Sequence, residues 1–253
     1  WVGGFAVSSN NSDVQGLFCS SIIVQNGAPQ PGTPVMITNN NAVVSCPNGP
    51  DPECLVFDDR PSMAVGPMIL PGADEVPGRR LYSAFARFWK TNGNPRVIVT
   101  SQLMVATSDD LGVTWTLRPT PIRVEGFEAN QETSYNNNLP VALHNGRLML
   151  VYSNGWSHSD VSCIWSDDGG NTWYPRNTSG QIAPRTVYQH ATPELRIDNS
   201  AAIVAGGVKR VYWHTAAMDP RLNAGGHNRV YVMYAVATPG TDGETRSRLH
   251  IKA

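Results

Sequence analysis

The chain has 253 residues with 19 basic against 20 acidic side chains, a net charge of −1. That length suffices for one large domain with a sizeable core, and the charge balance gives no electrostatic case for nucleic acid or an anionic membrane surface. No apolar run approaches the roughly 18–20 residues that would cross a bilayer as a helix, and 23 Gly and 19 Pro mark a chain rich in turns.

The sequence opens at Trp1 without a charged-then-apolar leader, and is read as a processed chain or a piece of a longer one. Residues 1–57 form a degenerate first unit, with strands at Val2–Ser8 and Leu17–Gln25 and a Pro/Gly turn at Gly27–Thr33. Cys46 and Cys54 bracket Pro-Asn-Gly-Pro-Asp-Pro-Glu, a loop that can double back, so a disulfide and an oxidising compartment are expected. Cys19 and Cys163 lie inside strand-like runs and read as buried small apolar groups. The second unit, 58–120, has strands at Ser62–Val65, Arg80–Trp89, Arg96–Thr107 and Trp115–Arg118. The third, 136–178, has Leu139–Leu143, an Asn-Gly hairpin turn at His144-Asn145-Gly146, Arg147–Ser153, Val161–Trp165 and a closing fourth strand. The fourth, 188–253, has Pro193–Ile197, Lys209–Thr215, Arg229–Ala237 and Arg246–Lys252. No amphipathic helix of useful length appears, so the class is all-β. Sequons at Asn10 and Asn177 suit a secreted glycoprotein.

One octapeptide occurs twice. Ser108-Asp109-Asp110-Leu111-Gly112-Val113-Thr114-Trp115 and Ser166-Asp167-Asp168-Gly169-Gly170-Asn171-Thr172-Trp173 both read S-x-D-x-G-x-T-W, 58 residues apart. Each follows an apolar strand and has the chemistry of a tight hairpin. Asp110 and Asp168 can accept N–H groups of their own turn, Gly112 and Gly170 allow positive φ, and Thr114 and Thr172 restart a strand. Trp115 and Trp173 then plug the hairpin against its sheet. The octapeptide resembles the Asp-box, or bacterial neuraminidase repeat, of the sialidase-like β-propellers. The run Asp58-Asp59-Arg60-Pro61-Ser62-Met63-Ala64-Val65-Gly66-Pro67 is similar to the phrase that opens a blade in many such proteins. The resemblance covers roughly residues 58–240. It implies a single β-propeller domain over 1–253, built of four-stranded antiparallel blades at 1–57, 58–120, 136–178 and 188–253. Such rings are expected to close with six or more blades. Four therefore mean part of a six- or seven-bladed ring, a small ring, or an open arc completed by another chain.

In that topology the octapeptides mark the bottom face. The residues before each first strand and after each second strand mark the top, where ligand groups gather. The rule selects Asp59 and Arg60, then Tyr135, Asn136 and Asn137, then Tyr188, Gln189 and His190. After second strands stand Trp89 and Lys90, then Asn154, Trp156 and His158, then His214 and Asp219. Aromatic rings, amides, a carboxylate, an arginine and imidazoles are what sugar recognition uses.

A sialidase would need an arginine triad, a Tyr–Glu pair and an Asp. Glu132 with Tyr135 could form the pair, but the R-I-P motif is absent and only Arg60 falls on the expected face. A polysaccharide lyase could use Tyr188 and His190 with Arg60. No D-x-D-x-D-G loop or zinc spacing is present, so no cofactor is expected, with a structural calcium ion left open. The reading is an extracellular propeller directed at carbohydrate, secreted or at the cell surface, with a glycan or acidic saccharide as ligand. Further blades or protein subunits would be its partners. A structural or protein-interaction propeller without a small-molecule site is the first alternative, and a sialidase-like hydrolase or lyase the second.

Overall fold

The computed structural model describes residues 2–7, 14–40, 42–47, 53–68, 76–93, 97–125, 136–154, 160–189, 203–204, 208–209, 214–219, 221, 228–239 and 245–253. All regular elements among them are β-strands. The protein is all-β.

β1 (Val2–Val7), β2 (Val14–Ser20) and β5 (Val35–Met36) make a first, three-stranded sheet, while β3 (Ile22–Gln25) and β4 (Ala28–Pro31) pair as a separate hairpin. The expected turn at Gly27–Thr33 is corrected here, because Ala28–Pro31 is a strand and the turn is Asn26-Gly27. Both turn residues have positive φ, 51° and 79°, as a two-residue hairpin of the right twist requires. The second sheet holds β6 (Val44–Ser45), β7 (Glu53–Met68), β8 (Val76–Thr91), β9 (Ile98–Ser108) and β10 (Thr116–Glu125), each paired with its sequence neighbours. Strand β7 spans 16 residues where only Ser62–Val65 was expected. Pro61 donates no N–H, and the chain absorbs it as a bulge, with a register shift between Asp59 and Ser62 and Arg60 at φ 54°.

The third sheet is β11 (Asn136–Ala142), β12 (Leu148–Asn154), β13 (Asp160–Ser166) and β14 (Arg185–Gln189), in that order. Its outer strand does not follow Trp173 directly. Isolated bridges Trp165–Tyr174 and Arg176–Ile182 come first, and β14 pairs with β13 only from Arg185. β15 (Ile203–Val204) and β16 (Val208–Lys209) form a short ladder, and β17 (Thr215–Met218), β18 (Val230–Pro239) and β19 (Thr245–Lys252) a three-stranded sheet. The expected strand at Pro193–Ile197 lies outside the described residues.

Alternation along the strands sends successive side chains to opposite faces, and both faces of the second sheet are covered. Phe85, Met104 and Ala106 pack on Leu17, Cys19 and Ile37 of the first sheet side. Tyr82, Ala84, Leu103, Val105 and Ile122 pack on Leu148, Leu150, Tyr152, Ile164 and Trp173 of the third. Val151, Val161 and Cys163 then meet Val232 of the last sheet. The sheets thus lie face to face in chain order, each large apolar side chain contributing roughly 1.5–3 kcal/mol.

The two octapeptides form the same turn. Ser108 Oγ donates to Asp110 Oδ1 (2.8 Å) and accepts from Gly112 N–H (2.7 Å), while Asp110 accepts the Thr114 N–H (2.9 Å) and hydroxyl (2.6 Å). Ser166 Oγ likewise donates to Asp168 Oδ1 (2.8 Å) and accepts from Gly170 N–H (2.7 Å), and Asp168 accepts from Thr172 N–H (2.7 Å). Gly112 and Gly170 stand at φ 87° and 97°. Trp115 packs on the core between the first two sheets and Trp173 on the core between the second and third.

A further repeat surrounds them. Leu81 pairs with Ser108 and Leu148 with Ser166. The arginine just before each leucine grips the first Asp of the turn with two hydrogen bonds. Arg80 holds Asp109, with Nη2 2.8 Å from Oδ2, and Arg147 holds Asp167 at 2.5 and 3.0 Å. The turns are also tied to each other. A Cβ on Gly169 would strike Arg80 Nη1, and Arg118 Nη1 donates to Asn171 Oδ1.

Hydrogen bonds from the Thr114 hydroxyl, the Thr114 N–H and Ser108 lower the Asp110 carboxyl from 3.8 to about 2. For Asp168 burial is the largest single influence and pushes upward, but the donors from Thr172, Ser166 and Asn171 together outweigh it and the net shift is down. A carboxyl depressed in the fold stabilises fully above its unfolded pKa and loses that contribution as pH falls toward the folded value. The stability difference between wild type and Asp110→Ala, measured by urea unfolding, should therefore be constant above about pH 5. It should shrink below pH 3.8, and its electrostatic part should be lost as the pH falls through about 2. Gly66 of β7 comes so close to β11 that an added Cβ would meet the Ala142 methyl, whereas Gly93 has nothing within 4 Å. Gly66→Ala should cost about 1–3 kcal/mol in the same assay, and Gly93→Ala less than about 0.5 kcal/mol.

Candidate functional site

The apolar contact between the first and second sheets ends partway along β8. Phe85 is its last core residue, and the alternation that buries Phe85 puts Arg87 and Trp89 on the same face. The registers align two rows across the sheet. Asp58, Arg87, Gln102 and Arg123 make one, and Val56, Trp89, Thr100 and Glu125 the next. Among the described residues, the stretch on either side of position 41, residues 37–40 and 42–47, borders these rows, with β6 inside it pairing at the edge of the second sheet. It leaves a groove of about 390 Å³ lined by Thr38, Asn39, Asn40, Ser45, Val56, Arg87 and Trp89, among others.

The polar row is anchored by a buried ion pair. Asp58 is 0% exposed. It accepts from Arg87 Nε (2.7 Å) and Nη2 (2.9 Å) and from Asn40 Nδ2 (2.7 Å), and Arg87 Nη2 also reaches Asn40 Oδ1 at 3.5 Å. Burying two charges is costly unless geometry and additional donors compensate; here a two-pronged contact and a third donor do so. Asn40 ties the overlying segment to the sheet through the same carboxylate. Thr100 Oγ1 donates to Pro47 C=O at 3.2 Å, and Cys46 and Cys54 form the expected disulfide, fastening the end of the segment to β7. Trp89 forms an apolar wall, with the Arg123 guanidinium 5.9 Å from its ring centroid.

Of the residues picked from sequence, Trp89 lines this groove, although it lies within β8 and not beyond it. Asp59 and Arg60 do not precede their strand but sit in the bulge inside β7, with Arg60 Nε 3.6 Å from Asp59 Oδ2. Burial pushes the Asp59 carboxyl up, against the pull of Arg60. Asn137 lies in β11. His214 is buried just before β17, its Nε2 3.3 Å from Val151 C=O, which makes it an interior histidine and not a groove residue. Tyr188 belongs to the outer strand of the third sheet and not to the start of a fourth unit. It stacks on Tyr234 at 4.6 Å, which stacks on His250 at 5.6 Å. Asn177 is exposed in a turn where its Oδ1 accepts the Ser179 N–H and hydroxyl (3.0 and 2.9 Å). Asn10, Glu132, Tyr135, Trp156, His158 and His190 lie outside the described residues.

The sequence reading missed Asp58, Arg87 and Asn40. Alternation through Phe85, Arg87 and Trp89 could have placed Arg87 beside Trp89. Asn40, 18 residues from its partner, carries no local signal. Among the described residues no group of three or more His, Cys, Asp or Glu side chains is gathered for a metal ion.

No family model matches the chain, and no curated protein matches it. Solved structures resemble it weakly, two of them as follows. One described as a glycoside hydrolase is 9% identical with a TM-score of 0.32, and one described as a BT0996 RGII complex is 11% identical with a TM-score of 0.31. Each match covers 78% of this chain and 53% of the other, so the chain spans about half the length of these structures. Likeness at that level does not establish a shared fold.

Removing Asp58 would leave the Arg87 guanidinium, largely but not fully buried, without its counter-charge. Asp58→Ala should lower unfolding free energy by about 3–5 kcal/mol in chemical denaturation.

Proposed function

We propose that the chain is a secreted or cell-surface Asp-box β-propeller, or part of one, and that the groove beside Trp89 binds a glycan. The observation that carries the glycan reading is the composition of the groove. The Trp89 indole lines it together with the Arg87 guanidinium and the polar side chains of Asn39 and Ser45. A flat ring offers its face to the C–H groups of a pyranose, and amide and hydroxyl side chains in the same groove supply hydrogen-bond partners for its hydroxyls. The propeller reading draws on the two octapeptide turns with matching hydrogen bonds and on sheets that lie face to face in chain order. The secreted reading draws on the Cys46–Cys54 disulfide and the exposed Asn177 sequon.

Binding is favoured over turnover at this groove. Asp58, the carboxylate that holds Arg87 beside it, is buried and already accepts three hydrogen bonds. An interaction propeller is the second reading. The exposed β3–β4 hairpin supports it, with Ile22 and Val24 exposed by 46% and 69%.

The test is retention on immobilised glycans. Wild type should be retained, and Trp89→Ala should weaken retention at least about tenfold, roughly 1.4 kcal/mol, with an unchanged circular dichroism spectrum. Retention that Trp89→Ala leaves intact would remove the groove from the function.

A further inference from the structure

We infer that the groove selects an uncharged saccharide over an acidic one, and that Asp58 sets this selectivity by cancelling the charge of Arg87. This rests on the glycan reading and names the ligand class within it.

Arg87 is the one charged side chain among the described residues lining the groove. An arginine recognises a carboxylate through two parallel N–H groups on one edge of its guanidinium. In Arg87 the Nε–Nη2 edge is occupied by Asp58 at 2.7 and 2.9 Å, and Nη2 also reaches Asn40 Oδ1 at 3.5 Å. Only Nη1 is without a hydrogen bond among the described residues. One nitrogen of a neutralised guanidinium suits a hydroxyl or ring oxygen, not the two oxygens of a uronate. An incoming carboxylate would also approach a second, buried carboxylate, and like charges in a desolvated site repel strongly. The remaining polar lining consists of amides and hydroxyls, which carry no charge. The neighbouring cation, Arg123, lies against the Trp89 ring and does not line the groove.

Isolated oligosaccharides test this by calorimetric titration of the full chain. The probes are neutral hexasaccharides of glucose, galactose, mannose and xylose, with hexamers of glucuronate and galacturonate. Wild type should bind at least one neutral hexamer at least tenfold more tightly than either acidic one, with affinity unchanged between about 50 and 500 mM NaCl, because no net charge is read. Asp58→Asn keeps the volume of the side chain and removes its charge, which leaves the Arg87 guanidinium a net cation beside the groove. It should narrow the gap at least fivefold by strengthening acidic binding, in a salt-dependent manner. Wild type preferring an acidic hexamer, or a folded Asp58→Asn with an unaltered ratio, overturns the inference. If acidic binding is strong and is lost in Trp89→Ala, the glycan reading survives and only the selectivity falls. If wild type binds none of the six, the glycan reading falls and this inference with it. Should Asp58→Asn fail to fold, the wild-type preference and its salt response decide alone.

Discussion

Both faces of the β7–β10 sheet are apolar through their middle, and neither can be left in water. That constraint organises the described structure. A sheet with one wet face can stand alone on a single partner layer, whereas this one demands two. The first sheet meets the demand on one side through Leu17, Cys19 and Ile37, and the third on the other through Leu148, Leu150 and Ile164. The near-continuous burial of residues 80–86 of β8 is the signature of this double cover.

The edges of the core show how the chain manages the polar ends of such long strands. At the end carrying the octapeptides, Ser and Asp side chains satisfy the turn's own N–H groups, and Arg80, Arg118 and Arg147 link turn to strand and turn to turn. Fixed donors and acceptors leave little there for a ligand to use. At the opposite end of the face the cover is an irregular segment and not a strand. The polar row through Asp58 and Arg87 begins where the apolar packing stops, and a groove remains. One end of the interface is closed by repetition and the other is open by its absence.

Much of this was legible in the sequence. Alternating apolar runs, the Asn145-Gly146 turn and the lack of an amphipathic helix gave the all-β class, and the octapeptides gave the turns after β9 and β13, though not the delay before β14. The Cys46–Cys54 pair followed from loop length. Boundaries failed where turn chemistry was misjudged, as at Asn26-Gly27, or where a bulge hid a long strand, as at Pro61. Placing Asp59 and Arg60 ahead of a strand followed from the second error. The groove itself was half visible. Trp89 was found by its place near a strand end, but its setting depends on Asn40 reaching Asp58 and on Asp58 lying opposite Arg87, contacts between residues 18 and 29 apart that no local pattern encodes.

The disulfide has a consequence for where the protein can work. Its cysteines are eight positions apart, so closing so short a loop restricts the unfolded chain only modestly, on the order of 2–3 kcal/mol by loop-closure entropy. Its larger effect is local, because it ties down one end of the segment that roofs the groove, where β6 contributes only two ladder pairs. A thiol-reduced molecule would keep the layered interior, whose clusters include neither Cys46 nor Cys54, and lose the definition of the groove. Oxidation of this pair thus matters less for whether the chain folds than for whether the folded chain keeps a shaped groove.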